Sequence, residues 1–178
     1  GRGLFETIRG IEKEIMVVAW DDVKEILSYV IDILKGEKIN SAKLLNGQNL
    51  LIPLFYYLKL NGKRYQSDTN KRKSLYWVLM ASMWGRYGGT SDTKIEEDLN
   101  IIKNSTDDVW DALLGKIIEQ RGRLKVEISD LEGSGVNSRF FTIFYIMLRN
   151  RSAQDWFNGL ELDEGSSFNL TTNRHHIF

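Results

Sequence analysis

The stretch "KRKSLYWVLMASMWGRY", residues 71–87, decides the fold. Its apolar residues recur at three- and four-residue steps, which is the period of an α-helix and not of a strand. Leu75, Val78, Leu79, Ser82 and Met83 fall on one face. Thr69 or Asn70 opens the helix, and "GG" at Gly88 and Gly89 is expected to end it. One proline, Pro53, interrupts all 178 residues.

The same period runs outward in both directions. Residues 4–18 read as an amphipathic helix. Asp21 is a plausible N-cap for a second one, with Val23, Ile26, Leu27, Val30, Ile31 and Leu34 in register and Gly36 as a left-handed C-terminal cap. "NG" at Asn46 and Gly47 marks a turn. "NLLIPLFYYLKLNG" places Pro53 in a first helical turn, where no amide donor is needed, and Gly62 closes the helix. Thr90 or Ser91 caps a helix through Lys103, with Asp92, Glu96 and Glu97 near its positive end. Ser105 or Thr106 starts another through Gln120, stopped by Gly122. "LKVEIS" alternates apolar and polar residues, so a short strand is expected near 124–128. Asn137 or Ser138 caps "RFFTIFYIMLRNR", apolar nearly all round and so expected as the buried central helix. "SAQDWFNG" adds a last turn or short helix, and from Leu160 onward the chain reads as a connector. The expectation is an all-α chain: a compact bundle of about seven helices.

Composition narrows the function. With 42% hydrophobic and 27% charged residues, the chain can bury a core and stay in solution. It has no cysteine, which excludes disulfides and thiolate zinc sites and fits a reducing cytosol. No apolar run is long enough to cross a bilayer, and no signal-peptide stretch appears, so a cytoplasmic location is expected. Net charge is zero, but it is distributed in blocks. Residues 61–90 carry six basic residues against Asp68, and residues 91–114 carry seven acidic against two basic. Two helix faces that attract each other explain this better than a nucleic-acid stripe. Tyr56, Tyr57, Tyr76, Trp77, Trp84 and Tyr87 flank the basic block. Bases could stack on them, yet aromatics at helical spacing more often build a core.

No glycine-rich phosphate loop, Cys-His metal pattern or Ser-His-Asp triad can be assembled. The one pattern with chemistry is the tail "HHIF". A histidine pair can be a surface accident or the stub of an affinity tag. On an extended strand, however, adjacent imidazoles point opposite ways, so one can hold a divalent metal while the other faces a phosphodiester. The first would help stabilise the departing oxygen, and the second would deprotonate the attacking water.

In their order, "LLIPLFYYL" (50–58), "KRKSLYWVLMASMWGRYGGTSDTKIEEDL" (71–99), "LRNRSAQDWFNG" (148–159) and "NRHHIF" (173–178) resemble the middle-to-late part of the GmrSD-like restriction endonucleases. The family joins a ParB-like nucleotidase domain, a helical region and an HNH nuclease module that carries "HHIFP". The resemblance implies that residues 1–160 form the helical domain, and that 161–178 are a connector and the first residues of a truncated HNH module. It makes His175 a metal ligand and His176 the general base of an incomplete site. Gly85, Arg86 and Tyr87 match a "GRY" of structural or interdomain role. Asp155 and Trp156 match a "DW" pair, expected as a core tryptophan with its aspartate at a helix end.

The nucleotidase fingerprint, the proline after "HHIF", the orienting amide and the last ligand are absent. The implied function is therefore a helical linker of a prokaryotic, modification-dependent restriction endonuclease, inert by itself and needing no cofactor. The resemblance assigns the divalent metal, magnesium, and a nucleotide to the full-length parent, a DNA endonuclease. Its partners would be the parent's nucleotidase and nuclease domains and DNA, with backbone contacts from Lys63, Arg64, Lys71, Arg72 and Lys73. The competing reading is a stand-alone helical protein–protein interaction module with incidental histidines.

Overall fold

A computed structural model describes residues 9–89, 91–105, 108–135, 137–156 and 159–162. Seven α-helices and two 3-10 turns occur among them, with no strand. The helices are α1 (Lys13–Gly36), α2 (Ile52–Leu60), α3 (Asp68–Trp84), α4 (Ser91–Asn104), α5 (Val109–Arg121), α6 (Ile128–Leu131) and α7 (Arg139–Asn150). The 3-10 turns, Ala42–Leu44 and Gln48–Leu51, fill the passage from α1 to α2. The expected all-α bundle is what the chain forms.

The decisive stretch is the centre of the molecule. α3 lies against α5 on one side and α7 on another, with the second 3-10 turn also touching it. Trp77, Val78, Ala81 and Ser82 are at most 1% exposed. Ser67 caps α3, its hydroxyl accepting from the Asn70 amide at 3.2 Å. The helix ends at Trp84, and Gly85, the first residue of the GRY triplet, closes it with a left-handed φ of 64°, ahead of the expected Gly88–Gly89.

An aromatic ladder, Tyr29–Tyr65–Tyr57–Trp110–Trp77–Tyr87, ties α1, α2, α3 and α5 together, with successive ring centroids 4.9–6.5 Å apart. Aromatic pairs at such distances add to the stabilisation from burial alone. The core reading of the aromatics therefore holds, except for the exposed Tyr76.

Other expectations are corrected. The break at Asp21 does not occur: α1 runs unbroken through it, because the chain has neither glycine nor proline from Lys13 to Lys35. Asp21 instead bridges Lys24 within the helix at 2.8 Å. The left-handed residue after α1 is Lys38, not Gly36. Asp108, not Ser105 or Thr106, caps α5, its carboxylate accepting from the Trp110 and Asp111 amides.

Residues 124–127 form no strand. Without a neighbour to pair with, their alternation has no ladder to enter. The Glu127 amide donates to Asp130 at 2.8 Å in a capping box that opens α6 instead.

α7 is one-faced rather than central. It buries Ile143, Tyr145 and Ile146 but leaves Phe144 and Met147 in solvent. After it the chain turns back, Gln154 bridging Glu161, so of the two expectations, a last turn or a short helix, the described residues give the turn. Leu162, with its amide donating to the Ala153 carbonyl at 3.0 Å, is the last described contact with the core.

Candidate functional site

The two histidines, His175 and His176, lie outside the described residues. Among the described residues, no group of three or more histidine, cysteine or carboxylate side chains is placed to hold a metal. The most concentrated chemistry lies elsewhere, at the GRY triplet.

Arg86 follows the left-handed glycine and turns inward, only 3% exposed. Its Nε donates to Asp98 Oδ2 at 3.2 Å and its Nη2 to Asp98 Oδ1 at 2.8 Å, a two-pronged contact that matches the carboxylate fork. Nη2 also reaches Glu97 at 2.5 Å, and Nη1 reaches the Gln120 amide oxygen at 3.3 Å. Tyr87 donates its hydroxyl to Asp98 Oδ2 at 2.7 Å. Lys116 closes the set on Glu97 at 3.2 Å. The end of α3 is thereby joined to α4 and to α5.

The electrostatics describe a clamp and not a catalyst. Burial alone would make Arg86 easier to deprotonate, but Asp98 and Glu97 outweigh it and hold the guanidinium charged. Burial alone would raise Glu97, and Arg86 with Lys116 bring it below the usual carboxylate range. Burial pushes Asp98 up, against the donations from Arg86 and Tyr87. Tyr87 is raised far from the range where it could give up a proton, by burial and by Asp98 beside it. Arg86 and Lys116 are shared among Asp98, Glu97 and, at the exposed edge, Glu119, which Lys116 reaches at 2.8 Å, so both cations are held by carboxylates.

Gly85 has a separate task. A Cβ there would lie 1.7 Å from Arg139 Nη1, so the glycine admits that guanidinium against the end of α3. GRY is thus spent on structure: one residue makes room, one neutralises, and one buttresses.

The residues proposed for DNA divide sharply. Lys63 pairs with Asp22 at 2.5 Å and Glu25 at 2.8 Å. Arg64 reaches Glu25 at 3.4 Å and sits over the Tyr29 ring. Lys73 bridges Asp108 and Asp111 at 2.8 and 2.7 Å, so part of the basic block does attract the acidic one as expected. Lys71 and Arg72, in the first turn of α3, form no ion pair among the described residues.

The DW pair is corrected: Trp156 is 88% exposed, not in the core. Asp155 sits in the reversal after α7, its amide donating to Leu160 and its carbonyl accepting from Gly159.

Sequence reasoning missed one surface entirely. Val23, Leu27 and Ile31 of α1 are exposed, while Ile26, Val30 and Leu34 of the same apolar set are buried. The signal was present as two interleaved series, one continuing back through Met16 and Trp20. No helix is long and apolar enough to cross a membrane among the described residues. No family model, curated protein or solved structure matches the chain.

Proposed function

We propose that this chain is the helical coupling domain of a prokaryotic, modification-dependent restriction endonuclease, cytoplasmic, set between a nucleotide-hydrolysing module and an HNH nuclease module. The observation that carries the reading is the Arg86 clamp. A coupling element must move as one body, and buried ion pairs joining α3, α4 and α5 resist relative sliding of those helices. In such a parent the nucleotide and the divalent metal belong to the flanking modules. His175 would ligate the metal and His176 would act as general base. Lys71 and Arg72, free of carboxylates among the described residues, are the basic residues best able to meet a DNA backbone.

The test is made on the full-length parent acting on modified DNA. His176→Ala should abolish cleavage while leaving nucleotide hydrolysis intact; unchanged cleavage would remove the nuclease reading. Lys71→Glu with Arg72→Glu should weaken DNA binding and flatten its salt dependence. A second reading, a stand-alone protein–protein interaction module, is favoured by the exposed apolar face of α1, and an intact gene product without nuclease activity would support it.

A further inference from the structure

α1 carries an apolar surface that the fold does not use. At 3.6 residues per turn, Met16, Trp20, Val23, Leu27 and Ile31 fall within about 80° of arc and run along about 22 Å of helix. Their exposures range from 37% at Leu27 to 62% at Trp20. The face beside them, with Ile26, Val30 and Ile33, is the one packed on the core.

Toward its N-terminal end the helix becomes apolar on every side: Ile15, Val17 and Val18 are 51–62% exposed as well. A helix segment apolar all round is normally enclosed. Toward the other end the stripe runs into a groove of about 410 Å³ whose walls include Leu27, Ile31, Ile39, Leu45 and Phe55. One helix therefore carries a projection at one end and a cavity at the other.

We propose that this surface binds a second copy of the chain, the two α1 helices crossing antiparallel about a two-fold axis near Val23. Self-complementarity carries the choice of occupant. Reversing the helix about Val23 sets Met16 of each copy at the Ile31 groove of the other and Trp20 beside Leu27, so both ends are filled at once. A two-fold contact demands this reciprocity.

The area agrees. The five stripe residues expose on the order of 450 Å² of apolar surface per copy, the size of the patches that mark interaction sites on a monomer and, doubled across the two-fold axis, the low end of specific interfaces. The charges agree too. Asp21 and Lys24 at the edge of the stripe neutralise each other at 2.8 Å, and Asp22 is taken up by Lys59 and Lys63. A lipid surface is a poorer occupant, since Glu12–Lys35 holds six acids to three lysines, without the polybasic flank that anionic membranes select. The inference is independent of the coupling reading: a dimer neither needs nor implies the nuclease.

The experiment uses the full 178-residue chain. Light scattering after gel filtration at tens of micromolar, where standard interfaces are occupied, should give twice the 20.6 kDa chain mass. Trp20→Glu should halve that mass with helicity unchanged, while Trp156→Glu, at a still more exposed tryptophan outside the stripe, should leave it alone. Because the chain has no cysteine, a second variant covers the case in which Trp20→Glu unfolds. Val23→Cys should oxidise to a covalent dimer, and Phe144→Cys on α7 should not. A monomeric wild type, or cross-linking no better at Val23 than at Phe144, would overturn the proposal.

Discussion

The Arg86 clamp and the outer face of α1 solve opposite problems. At the clamp, charge has been taken out of water: Asp98 is fully buried and the Arg86 side chain is 4% exposed, yet every carboxylate oxygen in contact has a donor. On α1, apolar surface has been left in water, with Trp20 and Val18 each 62% exposed. A buried ion pair contributes little net stability over an apolar replacement of both partners, but removing one partner is costly. An exposed apolar face costs the isolated chain little and gains only when covered. The contrast separates two roles: the chemically rich cluster joins α3, α4 and α5 into one body, and the chemically plain surface is the one left uncovered among the described residues.

The largest expected effect comes from breaking the clamp on one side. Arg86→Met leaves Asp98 buried without its main partner and should cost about 3–5 kcal/mol, read as a lower urea midpoint; a loss under about 1 kcal/mol would make the clamp incidental. Gly85→Ala should follow, because it combines a left-handed backbone with a Cβ driven into Arg139. A cost of about 1–3 kcal/mol is expected, and trimming Arg139 to alanine in the same chain should recover the steric part. Asp108→Ala removes the cap of α5 and one of the two Lys73 ion pairs, for about 1 kcal/mol. On α1 the expectation is reversed: Trp20→Glu should leave monomer stability within about 0.5 kcal/mol and change only self-association.

Acid should act on the ion pairs, those of α1 included, and not on the apolar stripe. Lys59 and Lys63 lower Asp22, Lys63 lowers Glu25, Lys73 lowers Asp108, and the Glu127 amide with Arg123 lowers Asp130. Groups depressed in the folded state bind fewer protons there than when unfolded. Their stabilisation is present above about pH 4, the unfolded carboxylate range, and is lost as pH falls through their folded values. Asp98, raised by burial, runs the other way and is outnumbered. Thermal scans should show a plateau at neutral pH and a steep fall below about pH 4; an unchanged midpoint at pH 3 would contradict the assigned pairings.

How much of this could be read from the sequence follows from the range of the forces. The period of residues 71–84, Pro53 at the start of α2 and Gly122 after α5 are local signals, and they reported correctly. Asp21 misled because a capping residue in a continuous helix looks the same in sequence as one at its start. "LKVEIS" misled because alternation promises a strand only where another strand waits. The site was less legible still. Asp98, Gln120 and Lys116 are brought to Arg86 only by packing of α4 and α5, and Arg139 reaches Gly85 from more than fifty residues away. The exposed stripe was hidden in one hydrophobic series, since periodicity shows which residues share a face and not whether a neighbour covers it.

The two regions can be weighed in a single measurement: the urea midpoint of wild type, Arg86→Met and Trp20→Glu, each at a low and a high protein concentration. Association links stability to concentration. The wild-type midpoint should rise with concentration, that of Arg86→Met should be depressed throughout while rising in parallel, and that of Trp20→Glu should stay flat. A flat wild type, or a Trp20→Glu midpoint that climbs as steeply as the parent's, would contradict an α1 face built to be covered.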